Sequence, residues 1–208
     1  MAFVQGVVCG PSRNSIVSSQ YVHTHGVYGN EEWLRPDQPN WIENLRDGGY
    51  HTVNIGKMHT APIRLTVGFK HRTLVENKNY RQGHHGPDAD DYDLFLQHHG
   101  LQRPALTYYQ DIDDWPDRLQ ATVWPHADEL YPDNFVGART VEYLKSYDFD
   151  NPLFLWCGFA GPHDPYDVTA DFLAMYDEVD VPDPVGIEGE LDTKPPPQRA
   201  AMAGMEGK

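Results

Sequence analysis

The longest apolar run in the chain is Leu153 to Ala160, bounded by Asn151-Pro152 before it and Gly161-Pro162 after it. That length suits one strand buried on both faces. It falls far short of the roughly 18 residues a membrane helix needs. A strand buried on both faces belongs in a parallel sheet covered by helices. Cys157 lies inside the run, where a buried inert thiol is expected. Cys9 is the only other cysteine, so no disulfide framework is encoded.

The neighbouring segments fit such a sheet. Phe3 to Val8 reads as a strand end that runs into Cys9-Gly10-Pro11. Pro11 suits the first turn of a helix reaching about Gln20. A second helix fits Asn40 to Asp47, with Gly48-Gly49 as its stop. Tyr50 to Ile55 is a short strand with β-branched Thr52, Val53 and Ile55, and it ends in Gly56-Lys57. A short strand around Arg72 to Glu76 and a helix around Tyr92 to His99 lie in an otherwise irregular stretch. Asp133 reads as the cap of a helix over Asn134 to Tyr147. Ala170 to Tyr176 fits one more short helix, and the tail from Val179 reads as loop. Alternating helices and strands predict an α/β fold with a mostly parallel sheet and flanking helices.

Charge narrows the partners. Lys and Arg number 16 against 31 Asp and Glu, a net charge of −15. Such a chain repels phosphate backbones and anionic lipid, so neither nucleic acid nor membrane is expected as a partner. The acidic clusters Asp88, Asp90, Asp91, Asp93 and Asp111, Asp113, Asp114, Asp117 lack the Gly and terminal Glu of a calcium loop. They read as solvated loop charges. His84-His85 and His98-His99 are adjacent pairs, not the i, i+4 pairs of a zinc helix.

Three chemically capable residues each follow a predicted strand. Ligand crevices of open α/β sheets lie beyond the carboxyl ends of the strands. Cys9 would stand at a helix N-terminus with Arg13 one turn on, and both favour an anion there. Lys57 and His59 alternate along an extended segment and can face one site, one as a fixed cation and one as acid or base. His163 sits between Pro162 and Pro165, which shape a rigid turn. Read singly, each residue also fits a merely structural role.

Together the segments carry a resemblance. Cys9-Gly10-Pro11-Ser12-Arg13 resembles the Cys-x-Pro-Ser-Arg signature of the formylglycine-dependent type I sulfatases, in the alkaline-phosphatase-like superfamily. Gly49 to His59 is similar to the second signature of that family. Pro162-His163-Asp164-Pro165-Tyr166 resembles a third segment, and the three stand in the family's order. The resemblance implies that a maturation enzyme oxidises Cys9 to formylglycine. The hydrate would attack the sulfur of a sulfate ester on a small molecule or glycan. It would also ligate a divalent cation, usually Ca2+. Arg13 would hold the hydrate, Lys57 would bind sulfate oxygens, and His59 would orient or deprotonate the hydrate. His163 would bind substrate or protonate the leaving oxygen.

This sequence departs from the family pattern in places. Ser18-Ser19 replace the usual Thr-Gly after the first motif. The family's metal site needs an Asp-Asp pair before the cysteine, but none of the eight residues ahead of Cys9 is acidic. The Asp-Asn or Asp-His pair and the Lys that complete the site are also missing. Residues 1–208 are therefore expected to form one incomplete catalytic domain, inactive alone and without metal ligands besides Cys9. The N-terminus lacks the basic and apolar regions of a signal peptide, and compartment is left open. A phosphonate monoester or phosphodiester hydrolase of the same superfamily is an alternative. So are a non-catalytic remnant and, more distantly, a thiol or redox role for Cys9. Substrate choice would fall to the region from Thr60 to Pro132, with Arg72, His84, His85 and Tyr108 as candidates.

Overall fold

The computed structural model describes residues 3–76, 90–104, 109, 111–112, 121–176, 179–180, 182 and 189–203. Near the N-terminus come helices α1 (Cys9–Ser18), α2 (Val22–His25) and α3 (Trp41–Asp47). Asn40 caps α3, its side chain accepting the N–H groups of Ile42 and Glu43 at 3.0 and 3.4 Å. Strand β1 (His51–Gly56) follows, then β2 (His71–Leu74) and helix α4 (Asp91–His98). Next are β3 (Ala121–Val123), α5 (Pro132–Ser146), β4 (Leu153–Gly158) and β5 (Tyr166–Val168). Helices α6 (Ala170–Ala174) and α7 (Pro196–Ala203) complete the order.

The main sheet has the order β2-β1-β4 and is wholly parallel. Gly56 of β1 is in register with Leu74 of β2 and with Gly158 of β4, so all three strands end on one edge. Period-2 alternation sends Val53 and Ile55 to one face. There they pack with Val75, Tyr92, Leu96, Phe135 and Val136 under α4 and α5. Phe154 and Trp156 face the other way and join Val17, Ile42, Met58, Val67 and Phe69 under α1 and α3. Each fully buried aliphatic side chain contributes about 1.5–3 kcal/mol. Helices on both faces of a parallel sheet are the α/β arrangement expected from the sequence. A separate parallel pair, β3 with β5, was too short to show a period. Among the described residues no helix is long and apolar enough to cross a membrane.

Four local expectations are corrected. Residues 3–8 form no strand, and Phe3, Val4 and Val7 are 76%, 70% and 97% exposed. A β-branched run becomes a strand only beside a partner, and the main sheet ends at β4. For the same reason Cys157 is exposed and not buried. It sits on an edge strand, with Thr140 Oγ1 3.4 Å from its sulfur. Asp90 and Asp93 are buried and not solvated. They form a capping box for α4 and pair with Arg103 at 2.5 and 3.0 Å. The tail is not all loop, since Pro196 and Pro197 open α7, where proline costs no hydrogen bond. Asp88, Asp113, Asp114 and Asp117 lie outside the described residues.

Candidate active site

Cys9 is the first residue of α1 and is partly exposed. The helix start is braced from several sides. Gly10 N–H donates to Asn30 Oδ1 at 2.8 Å, and Asn14 Nδ2 donates to the Gly10 carbonyl at 2.8 Å. Val27 N–H donates to His25 Nδ1 at 3.1 Å, so Nε2 carries the proton and donates to Ser15 Oγ at 2.8 Å. The α1 N-terminus places the positive end of its dipole beside Cys9.

Arg13 ties this helix to the second motif. Its Nη1 donates to the carbonyl of Lys57 at 3.2 Å. Burial lowers the Arg13 pKa, while the charges of Glu76 and Cys9 act in the opposite sense. Lys57 is 2% exposed, and Met58 and Thr60 beside it are buried. His59 adopts φ 57°, a left-handed backbone that costs a non-glycine residue about 1–3 kcal/mol unless its surroundings impose it.

The third motif joins through the sheet edge. Lys57 N–H donates to the Gly158 carbonyl at 2.7 Å. Beyond Gly158 the chain turns, and Asp133 near the start of α5 catches it. Its Oδ1 accepts the N–H of Ala160 at 2.7 Å, and both its carboxylate oxygens accept that of Gly161 at 3.1 Å. The expectation that Asp133 caps its own helix is thereby corrected: Tyr131 occupies the N-cap without a side-chain bond. His163 follows in the turn. Its Nδ1 lies 2.8 Å from the Asp164 carbonyl and 2.9 Å from Asp164 Oδ1. Both contacts are at Nδ1, which leaves proton chemistry to Nε2. A hollow beside this turn is lined by Tyr131, Asp133, Phe159, Pro162, Tyr166 and Phe172.

The contacts thus link Cys9, Arg13 and Lys57, with His59 two residues on, and bring the His163 turn to the same sheet edge. Two further residues were not assigned to the site from sequence. Glu76, just past the end of β2, is 4% exposed, and burial pushes its carboxyl up to about 7 against the pull of Arg72, Lys57 and Arg13. Arg72 was a candidate for substrate choice, but its side chain is 8% exposed and turned into the protein. The signal for Glu76 was its place at the end of a predicted strand, two residues past β2, as Lys57 is one residue past β1. His84, His85 and Tyr108 lie outside the described residues.

Among the described residues no three His, Cys, Asp or Glu side chains gather where an ion could bind. The described residues therefore do not fit a complete calcium site. What they do supply is a cysteine at a helix N-terminus, with the buried Arg13 and Lys57 joined through the Lys57 carbonyl.

Known proteins share this fold. A phosphonate monoester hydrolase from Silicibacter pomeroyi superposes with a TM-score of 0.62 at 21% identity, covering 91% of this chain and 39% of its own. A protein solved in complex with its substrate D-glucosamine-2-N,6-O-disulfate gives a TM-score of 0.58 at 17% identity, covering 88% of this chain and 31% of that one. The fold is that of the alkaline-phosphatase-like superfamily. Within it, the Sulfatase family model matches residues 1–185, and the chain belongs to the sulfatase family. An arylsulfatase of Clostridium perfringens is 30% identical over 186 residues, 85% of this chain and 38% of that protein. The multifunctional alkaline phosphatase superfamily protein PehA of Trinickia caryophylli is 27% identical, over 88% of this chain and 37% of its own. The chain spans little more than a third of the length of these curated relatives.

Proposed function

We propose that this chain carries the nucleophile and the sulfate-binding cations of a formylglycine-dependent sulfatase, as one part of its catalytic domain. The observation that carries this reading is the 3.2 Å bond from Arg13 to the Lys57 carbonyl. It clamps the Cys9 helix to the segment bearing Lys57 and His59, so nucleophile and cations share one edge of the sheet.

Cys9 is the residue to be matured. Two electrons and two protons pass from its Cβ–Sγ unit to the oxidant of a maturation enzyme, dioxygen. Water then replaces sulfur, which leaves as hydrogen sulfide, and the aldehyde hydrates. One hydrate oxygen, oriented by Arg13 and relieved of its proton by His59, forms a bond to the ester sulfur. The bond from sulfur to the leaving oxygen breaks, and that oxygen takes a proton through His163. Loss of the proton on the second hydroxyl restores the aldehyde, and sulfate departs. Lys57 holds the sulfate oxygens throughout, where a desolvated cation is worth most. A divalent metal, Ca2+ by family resemblance, would supply charge neutralisation at this site. Cys9, as formylglycine, is the one ligand this reading assigns to it.

The substrate class under this reading is a sulfated small molecule or glycan, because only the sulfuryl group is read by these residues. The similarity to PehA and to phosphonate monoester hydrolases supports a second reading, hydrolysis of a phosphonate monoester or phosphodiester by the same nucleophile. The deciding experiment is co-expression with a formylglycine-generating enzyme, followed by mass spectrometry and hydrazide labelling of the Cys9 peptide. An aldehyde at residue 9, absent in Cys9→Ala, is expected. A thiol that persists at Cys9 overturns the reading. Rates on an aryl sulfate against a phosphodiester, in the complete protein, then separate the two substrate classes.

A further inference from the structure

Arg72 lies within β2, yet its guanidinium makes the described hydrogen bonds away from its own strand. Nε donates to Asn54 Oδ1 at 2.9 Å, in the neighbouring strand β1. Nη1 donates to Thr60 Oγ1 at 3.3 Å, to the Ile63 carbonyl at 3.1 Å, and to the Leu65 carbonyl. One planar group therefore joins the central strand to three points of the segment that leaves His59. Asn54 extends the link, its Nδ2 lying 3.5 Å from the Gly56 carbonyl and 3.4 Å from that of Trp156. Glu76 Oε1 stands 3.9 Å from Arg72 Nη2, and neither atom has a hydrogen-bond partner among the described residues. The pair is a loose charge balance, and the directed bonds go to Asn54 and to the loop.

We propose that Arg72 is a positioning residue of the anion site, fixing the segment that carries Lys57 and His59 and so acting through them. The inference rests on the sulfatase reading above. Two arginines grip this segment, Arg13 at the Lys57 carbonyl and Arg72 at residues 60, 63 and 65. Between them lies His59, whose left-handed backbone is kept by what surrounds it. Lysine at position 72 would keep the charge but cannot reach Asn54 and the loop carbonyls at once. Arg103 is the internal comparison. It is also buried, more deeply than Arg72, but its ion-pair partners Asp90 and Asp93 belong to the start of α4 and not to the loop.

The test uses the full chain with Arg72→Lys, Arg103→Lys and Thr60→Val, and inorganic sulfate as probe. Calorimetry reads sulfate affinity, and hydrogen exchange reads the amides of residues 57–65. The NMR signal of the Lys57 ε-methylene, assigned through Lys57→Arg, reads the position of the cation. Arg72→Lys is expected to weaken sulfate by at least about tenfold, speed exchange over residues 57–65 and shift the Lys57 signal. Arg103→Lys is expected to lower Tm while leaving sulfate affinity within about twofold. Equal losses of affinity in the two arginine variants overturn the proposal, as does an Arg72→Lys protein with unchanged affinity and Lys57 signal. If Arg72→Lys does not fold, Thr60→Val decides, since unchanged exchange and affinity there overturn it. If the unsubstituted protein binds no sulfate, the functional reading fails, and the exchange and NMR readings still decide the role of Arg72.

Discussion

Lys57 donates its backbone N–H to the carbonyl of Gly158 at 2.7 Å, one step beyond the last register pair of β1 and β4. The two chains diverge only after this bond, one toward His59 and the other toward His163. The approach is close. A Cβ on Gly158 would lie 2.3 Å from the Lys57 carbonyl oxygen, and one on Gly56 would lie 2.0 Å from that of Gly158. Gly56 also holds φ 98°, a conformation that only glycine adopts without cost.

Gly158→Ala should therefore be among the most damaging single-methyl additions in the chain. The clash is with backbone, which cannot rotate away, so the cost should exceed about 3 kcal/mol. Gly137→Ala is the control, because its Cβ would meet only the Phe159 ring at 4.0 Å, inside a helix. That change should be neutral or stabilise by up to about 1 kcal/mol. Urea unfolding of both variants checks the contrast. Equal stability in the two would show that the strand ends do not close as described.

Glu76 should make stability depend on pH. Burial raises its carboxyl from 4.5 to about 7. A group whose folded pKa is raised contributes its full stability below the unfolded value and loses it as pH rises through the folded one. The penalty thus develops between about pH 4.5 and 7 and reaches about 3 kcal/mol. Glu76→Gln, which cannot ionise, should match the unsubstituted protein near pH 4.5 and exceed its stability above pH 7. Parallel unfolding curves across that window would contradict the buried carboxyl.

Much of this site was legible because chemistry and topology coincide in it. Lys57 follows β1 and His163 follows β4, strands that end in Gly, and a parallel sheet sends such ends to one edge; Cys9 follows no strand and is tied to that edge by the bond from Arg13 to the Lys57 carbonyl. Phe3 to Val8 misled because a short stretch with β-branched residues states a preference for strand, not the presence of a neighbour to pair with. Asp133 misled for a related reason. An aspartate before or within a helix start looks the same in sequence whether it caps its own helix or holds another segment. Arg72 was named only as a candidate for substrate choice, since its partners at 54, 60, 63 and 65 come together only when β1 and β2 pair.

Asp133 offers a local check on the His163 turn. Asp133→Ala would strip the backbone N–H groups of Ala160 and Gly161 of their acceptor. Ala160 is 3% exposed, so its N–H has no ready water substitute. A cost of about 1–3 kcal/mol is expected. Hydrogen exchange at Ala160 and Gly161 should accelerate more than at the centre of β4. Asp133→Asn, which keeps one acceptor oxygen, should recover part of the loss.

The cluster around Asp90 should behave as one unit. Asp90 accepts the N–H groups of Asp93 and Glu76, both at 2.9 Å, and pairs with Arg103 at 2.5 Å. Arg103 is 5% exposed and also lies over the Tyr92 ring, 4.8 Å from its centroid. Asp90→Ala removes a helix cap and a partner of a buried guanidinium together, a loss of about 3–5 kcal/mol. Arg103→Met alone leaves two buried carboxylates facing each other without their cation, and should cost a similar amount. In the double variant neither charge remains to be stranded, so its cost should fall short of the sum by about 1–3 kcal/mol. A double-mutant cycle by urea unfolding measures that coupling. Additive costs would mean that Asp90 acts only as a cap and that the ion pair contributes nothing to joining β2, through Glu76, to α4.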